Sequence, residues 1–159
     1  MNVPRRTTSS RGLYSPQERA RRDATRWTLV QGILAPVQFL VFLVSLALVA
    51  RFLATGTGYG IATVSIVLKT GVLLTIMVTG SIWEKVVFGR WLLAPAFFWE
   101  DVVSFGVIAL HLVYVWMLLD GGFAPAAEMA VALTAYAAYL VNATQFVLKL
   151  RAARLEAAA

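Results

Sequence analysis

The stretch GSIWEKVVFGRWLLAPAFFWED, residues 80–101, places five charged residues between hydrophobic segments that are otherwise almost free of charge. Three of the five tryptophans also lie in it: Trp83, Trp91 and Trp99. Charge is costly near hydrocarbon and tryptophan favours the membrane–water interface, so this stretch is predicted to link two membrane helices. It is also the first candidate for an active site.

The composition is that of an integral membrane protein. The chain has 159 residues, of which 60% are hydrophobic and 14% charged, with a mean hydropathy of +0.75. At about 20 residues per span there is room for about four helices and no separate soluble domain. The chain has no cysteine and one histidine, which excludes disulfides, thiolate metal sites and iron–sulfur clusters and disfavours a His-rich metal site.

We predict an all-α fold, an integral membrane bundle of four transmembrane helices. The spans are expected at about 27–54, 59–83, 98–119 and 126–148, in one transmembrane domain over 27–149. A basic N-terminal tail (1–26) precedes this domain and a short basic C-terminal tail (150–159) follows it.

The distribution of positive charge predicts the topology. The net charge is +6, and seven arginines precede the first span: Arg5, Arg6, Arg11, Arg19, Arg21, Arg22 and Arg26. The link over 84–97 and the C-terminal tail are also basic, whereas the turns at 55–58 and 120–125 hold no Lys or Arg. Both termini and the link are therefore expected to be cytoplasmic, with some attraction to anionic lipid. Nucleic-acid binding is a poor interpretation of this pattern.

Polar residues within the first two spans indicate an interior face. Gln31, Gln38 and Ser45 recur every seven residues, so on a helix they share one face, which should look into the bundle. For Gln38, interhelical hydrogen bonding and substrate contact both remain open. Lys69 lies near the middle of the second span, where insertion of a charge costs about 2.5–3.5 kcal/mol. It should face the bundle with a partner or be neutral, as an interior pairing residue or a substrate contact.

The last two spans carry polar residues at helical spacing. Glu100 and His111 lie eleven residues apart, on one face and about 16 Å apart along a helix axis. The fourth span has a polar stripe, composed of Tyr139, Asn142, Gln145 and Lys149. With the predicted topology, Glu84, Glu100 and Asp101 all lie toward the cytoplasmic leaflet.

Carboxyl groups on both sides of a membrane pocket can act as general acid and general base, because burial disfavours their charged form. No nucleophile motif, phosphate-binding loop or metal-ligand cluster accompanies Glu84, Glu100 and Asp101. The chemistry indicated is proton transfer, binding and activation of water. A structural interpretation stays open, because charged residues also flank helix ends for their dipoles and for short loops.

Three runs resemble the 3-vinyl bacteriochlorophyllide hydratase family of bacteriochlorophyll biosynthesis: WTLVQGILAPVQFLVFLVSLALV (27–49), VTGSIWEKVVFGRWLLAPAFFWEDV (78–102) and NATQFVLKLRAARL (142–155). The resemblance covers residues 14–155. It implies addition of water across the C3 vinyl group of a chlorophyllide or bacteriochlorophyllide, which gives a 1-hydroxyethyl substituent. It carries no established catalytic residues onto this chain.

For that reaction we assign roles from the residues. Glu100 is the predicted general acid, and Asp101 or Glu84 is predicted to position the water. His111 is either a ligand of the pigment's Mg²⁺ or a packed, hydrogen-bonded histidine. Further substrate contacts are predicted at Gln38, Lys69 and Asn142, and at Lys85 and Arg90 for the substrate's free propionate. No cofactor is expected, since the Mg²⁺ is carried by the pigment.

Two other functions were weighed against a hydratase. One is a non-enzymatic membrane protein that binds bacteriochlorophyllide and hands it between enzymes. The other is a small multidrug-type transporter, which is disfavoured because the first span contains no acidic residue. The expected location is the bacterial cytoplasmic or photosynthetic membrane. Glycine surfaces permit a homodimer or contact with other pigment-biosynthesis enzymes without requiring either.

Overall fold

A computed structural model describes residues 12–158, with side chains over 12–155. It has five helices: α1 (Pro16–Ala24), α2 (Arg26–Thr55), α3 (Tyr59–Phe88), α4 (Phe98–Asp120) and α5 (Pro125–Ala158). No strand occurs over these residues. Helices α2, α3, α4 and, over Pro125–Leu155, α5 are long and apolar enough to cross a membrane. The predicted all-α bundle with four membrane-spanning helices is therefore confirmed.

The bundle consists of two helical hairpins. Helix α2 packs along α3, and α4 packs along α5, whereas the contacts between the hairpins, α3 with α4 and α2 with α5, are less extensive. The core between the hairpins is aromatic and aliphatic, with Phe42, Tyr114 and Tyr136 almost fully buried. The outer surface carries exposed leucine, valine and phenylalanine side chains along all four long helices. Polar residues inside and apolar residues outside are what a lipid solvent requires.

Hydrogen bonds join the polar face of α2 to its neighbours. Gln31 Nε2 donates to Thr79 Oγ1 on α3 at 2.8 Å. The Ser45 hydroxyl lies 2.7 Å from the Ser65 hydroxyl and 2.5 Å from that of Tyr136. Gln38 and Ser45 are buried, so the prediction that this face looks into the bundle is confirmed.

The short helix α1 lies against the end of α3. Ser15 and Glu18 form a capping box at its start, and Thr25, in extended conformation, separates it from α2. Tyr14 is buried, with its ring stacked on Phe88 at 5.8 Å. Of the arginines predicted to form the basic tail, Arg5, Arg6 and Arg11 lie outside the described residues.

Two helix boundaries differ from the prediction. Helix α3 continues to Phe88, not to residue 83, because Glu84–Phe88 contains no helix breaker and Gly89 supplies the left-handed residue (φ 78°) that ends it. The link is therefore 89–97, and Glu84 and Lys85 belong to α3. Helix α5 continues to Ala158, because its last residues are alanine, leucine, arginine and glutamate, which favour helix.

Candidate active site

Two buried carboxyl groups meet where α3 ends and α4 begins. Glu84 is 5% exposed and Asp101 is 3% exposed. The adjacent Leu93 and Ala94 amides each bind one of these groups, which brings the two side chains close enough to interact. Two carboxylates in contact repel one another, so such a pair is stable when it shares one proton.

The backbone of the link holds this carboxyl pair. The Leu93 amide donates to Asp101 Oδ2 at 2.7 Å, and the Ala94 amide donates to Glu84 Oε2 at 3.1 Å. Leu93 has a φ of 58°, a conformation that side chains other than glycine adopt uncommonly. These two bonds engage one oxygen of each carboxyl group. Strained backbone of this kind is frequent at functional sites.

A third carboxyl group, that of Glu100, is bound by a lysine from α5. Lys149 Nζ donates to Glu100 Oε2 at 2.6 Å and to the Ala96 carbonyl at 2.5 Å. Glu100 is 6% exposed. An ammonium in contact with a buried carboxyl group stabilises the ionised form. The site therefore combines a carboxyl pair suited to hold a proton with a carboxylate suited to accept one.

Asn142 connects α5 to the start of α4. Its Nδ2 donates to the Glu100 carbonyl at 2.8 Å, and its Oδ1 accepts from the Ser104 hydroxyl at 3.1 Å. The Ser104 hydroxyl also lies 2.8 Å from the Glu100 carbonyl. This network fixes the first turn of α4, so Asn142 positions Glu100 through its backbone.

Aromatic rings line the site on the side of α1. Phe97, which precedes α4, stacks on Phe146 at 5.8 Å and meets Trp83 edge-on at 5.7 Å. Trp83 also donates from its indole nitrogen to Thr28 Oγ1 at 2.9 Å. Trp91 and Trp99, in contrast, are exposed, as expected for residues that fix depth in a bilayer.

A second polar centre lies deeper in the bundle. Lys69 is fully buried, and its Nζ lies 3.0 Å from His111 Nε2. His111 Nδ1 lies 2.8 Å from the Val107 carbonyl and donates to it, which leaves Nε2 to accept from the lysine. Around Lys69 Nζ are the rings of Tyr139 at 4.2 Å and Tyr136 at 5.2 Å. Lys69 thus faces the bundle with a partner, as predicted.

Two glutamines inside the bundle have unsatisfied buried atoms. Gln38 is 2% exposed, and neither its Nε2 nor its Oε1 has a hydrogen-bond partner. Gln145 Oε1 is buried without a partner as well. Buried polar atoms without partners are rare in native proteins and mark positions where a ligand or water binds.

The two basic residues predicted to meet a propionate stay at the surface. Lys85 and Arg90 are exposed, and Lys85 Nζ donates to the Gly89 carbonyl at 3.0 Å. Lys85 also lies 5.9 Å from the Trp91 ring. Lys85 follows Glu84 directly in sequence, but both basic side chains lie outside the buried cluster.

The structure thus brings together four residues predicted from sequence: Glu84, Glu100, Asp101 and Asn142. It places Lys69 and His111 in a separate, deeper centre. Lys149 was noted in the polar stripe of the fourth span but not as a site residue. Its spacing of seven residues from Asn142, two helical turns, was the available signal.

Comparisons with known proteins agree with the predicted resemblance. The family model for 2-vinyl bacteriochlorophyllide hydratase matches residues 14–152. A 2-vinyl bacteriochlorophyllide hydratase from Cereibacter sphaeroides is 66% identical over 146 residues, which cover 92% of this chain and 91% of the relative. One from Rhodobacter capsulatus is 65% identical over 150 residues, 94% of this chain and 87% of the relative. No solved structure matches significantly. The chain belongs to the 2-vinyl bacteriochlorophyllide hydratase family.

Proposed function

We propose that this protein is a membrane hydratase that adds water across the vinyl group of a bacteriochlorophyllide or chlorophyllide to give the 1-hydroxyethyl derivative. Position 2 in the family name and position 3 in our prediction are the same vinyl-bearing carbon in the older and the systematic numbering of the macrocycle. The family membership supports the reaction. The buried carboxyl groups supply the chemistry that it needs.

The reaction requires one proton donor and one proton acceptor. Protonation of the terminal vinyl carbon leaves a cation on the inner carbon, and the conjugated ring delocalises it. Water then attacks the inner carbon and loses one proton to a base. One proton is donated and one is returned, so the net reaction is addition of water to the vinyl group. No redox cofactor takes part. The Mg²⁺ ion belongs to the pigment substrate.

The geometry leads us to exchange the roles first assigned to the carboxyl groups. Glu100 was the predicted general acid, but its contact with Lys149 Nζ at 2.6 Å favours the carboxylate. The Glu84–Asp101 pair is suited to hold the proton that the vinyl group receives. We therefore assign proton donation to this pair and activation of water to Glu100.

We assign two surface residues, Lys85 near the end of α3 and Arg90 in the link, to the substrate's free propionate. Lys85 and Arg90 are exposed beside the carboxyl cluster, and their charge attracts a carboxylate at the membrane surface. The exposed rings of Trp91 and Trp99 provide apolar surface for the macrocycle as it approaches from the bilayer.

We assign His111 as a packed, hydrogen-bonded residue and not as a ligand of the pigment's Mg²⁺. Both ring nitrogens already have partners, Lys69 Nζ and the Val107 carbonyl, so coordination of the pigment's Mg²⁺ would require Lys69 to leave. His111 also lies about 16 Å along α4 from Glu100, too far for one pigment to place its Mg²⁺ on His111 and its vinyl group at the carboxyl cluster.

The proposal extends to location and topology. Both termini and the link over 89–97 are assigned to the cytoplasmic side, because the basic residues lie at that end of the bundle. The membrane is then the bacterial cytoplasmic or photosynthetic membrane, where the pigment is made.

The observation that carries the proposal is the convergence of Glu84, Asp101 and Glu100 with Lys149 inside the bundle. Purified protein, incubated with the 3-vinyl pigment in detergent, should convert it to the 1-hydroxyethyl compound, detected by chromatography and mass. With water labelled by ¹⁸O, the product should carry one label. A protein that only hands pigment between enzymes would bind the pigment without forming product, and this result would overturn the proposal.

A further inference from the structure

Between the carboxyl cluster and the deep Lys69–His111 centre runs a strip of interior surface that we call the polar seam. It comprises Gln38, Lys69, His111, Tyr139 and Gln145, and it lies where the two hairpins face each other. The seam extends about 16 Å along the axis of α4 from Glu100 to His111. This length is comparable with the diagonal of a tetrapyrrole, from the vinyl group on one ring to the carbonyl group on the opposite side.

The deep end of the seam has hydrogen-bond donors that are not in use. An ammonium has three N–H donors, and in the described structure Lys69 directs one to His111 Nε2. Over residues 12–155 no carboxylate pairs with Lys69, since the ion pairs are Arg22–Asp23 and Lys149–Glu100. Gln38 Nε2 adds two donors with no partner, one helical turn from Phe42.

The walls of this deep end are flat and aromatic. The rings of Tyr139, Tyr136 and Phe42 lie 4.2, 5.2 and 5.9 Å from Lys69 Nζ. Such rings pack favourably against a flat conjugated macrocycle. Buried donors on an aromatic wall are the arrangement that recognises a single polar atom at the edge of an apolar ligand.

Resting on the proposed function, we infer that Lys69 and Gln38 form a carbonyl-binding site for the far edge of the pigment. When the vinyl group lies at the Glu84–Asp101 pair, the conjugated keto oxygen on the opposite side of the macrocycle lies at the deep end of the seam. Lys69 Nζ and Gln38 Nε2 donate to this oxygen, while His111 keeps Lys69 oriented. These contacts fix which pyrrole ring faces the carboxyl groups.

The packing of the two hairpins indicates how the pigment reaches the site. The two hairpins contact each other less extensively than the two helices within each hairpin. Separation of the hairpins opens the seam toward the bilayer, from which a hydrophobic pigment arrives. Gln38, Lys69, His111 and Tyr139 are buried in the closed form described here.

Resonance Raman spectroscopy of the bound pigment tests the inference without reliance on turnover. A hydrogen bond to a conjugated keto group lowers its C=O stretching frequency, so the pigment bound to the unmodified protein should show a lowered frequency relative to the pigment in an aprotic solvent. Lys69→Met should raise the frequency toward the free value, since only the Gln38 donor remains, and should weaken binding about 10–100-fold. A frequency that is the same in the unmodified protein and in aprotic solvent would overturn the inference.

A substrate change provides a second test that needs no variant. The pigment with its keto group reduced to the alcohol should bind to the unmodified protein about 10-fold more weakly than the keto pigment. Gln38→Leu should diminish this preference. Gln31→Leu, on the same face of α2 but bonded to Thr79, is the matched control and should retain it. Equal affinity for the two pigments in the unmodified protein would count against the site.

These outcomes are separate from those of the proposed function. A protein that lowers the keto frequency but forms no hydroxyethyl product would retain the carbonyl site and lose the hydratase proposal. If the protein forms product but Lys69→Met has no effect on the keto frequency, the hydratase proposal is retained and the carbonyl site is lost.

Discussion

The Leu93 amide donates to Asp101 Oδ2 at 2.7 Å, with Leu93 at a φ of 58°. This bond ties the strained residue of the link to a carboxyl group that is also a candidate proton donor. Asp101 thus has a structural and a chemical function, and two substitutions separate them.

Asp101→Asn should keep the link in place and abolish most of the turnover. The asparagine Oδ1 can still accept from the Leu93 amide, but the amide group cannot donate a proton as an acid. We expect kcat to fall at least about 100-fold with little change in thermal stability. Asp101→Ala should lower both turnover and thermal stability, because it leaves the Leu93 amide without a partner, which costs about 1–3 kcal/mol. Product chromatography and thermal unfolding in detergent measure the two effects, and unchanged turnover in Asp101→Asn would remove Asp101 from the mechanism.

Glu84→Gln should also abolish most of the turnover. Its side-chain oxygen can still accept from the Ala94 amide, so the loss arises from the missing proton. Glu128→Gln is a matched control, because Glu128 is a buried carboxyl group at the opposite end of the bundle, bonded to the Tyr59 hydroxyl. We expect turnover per folded molecule to drop about 100-fold or more in the first variant and to persist in the second. Equal losses in both would indicate a general effect of buried carboxyl groups on the fold.

Lys149→Met should lower turnover per folded molecule. The ammonium ties Glu100 Oε2 to the Ala96 carbonyl, so without it Glu100 loses the contact that orients its side chain. We expect kcat/KM to fall about 10–100-fold, measured by product chromatography and normalised to folded protein. Arg154→Met removes a positive charge from an exposed position on the same helix and should retain the original rate. If Lys149 only supports the fold, its loss would lower the amount of folded protein and leave turnover per folded molecule unchanged.

Much of this architecture could be predicted from the sequence, because hydrophobic run length and charge distribution determine where a chain can cross a bilayer. The cost of charge in hydrocarbon also predicts that Lys69 faces the interior with a partner. The clustering of Glu84, Glu100 and Asp101 at one end of the bundle follows from the connectivity of an up-and-down bundle.

Other features depend on contacts that no sequence pattern displays. Lys149 meets Glu100 from 49 residues away, and their ion pair needs the packing of α5 on α4. The sequence prediction ends α3 too early, because the charges of Glu84 and Lys85 favour a loop there. Both side chains are compatible with helix, and the Ala94 amide binds the carboxyl group of Glu84 in the interior.

His111→Phe should leave the coordination of the pigment's Mg²⁺ unchanged. The imidazole serves to orient Lys69, and both ring nitrogens are already bonded. The coordination-sensitive Raman bands of the bound pigment and its absorption maximum should therefore match those of the unmodified protein, while affinity falls because Lys69 loses its partner. A change from five- to four-coordinate Mg²⁺ in the variant would instead establish His111 as the axial ligand.

Tyr14→Ala should detach α1 from the end of α3. Tyr14 is 6% exposed, its ring stacks on Phe88 at 5.8 Å, and the Arg22 guanidinium lies 4.7 Å from the ring centroid. Removal of a buried aromatic side chain costs about 3 kcal/mol, and the remaining attachments of so short a helix include its connection through Thr25 and the bond from Thr28 Oγ1 to the Arg22 carbonyl. A detached α1 would unfold around Arg19 and Arg21, so limited trypsin digestion in detergent should cleave it much faster in the variant. Tyr14→Phe retains the stacked ring and should be cleaved at nearly the original rate. If both variants and the unmodified protein are cut equally fast, α1 is not held by this contact, and the aromatic wall beside Phe97 is open to solvent on that side.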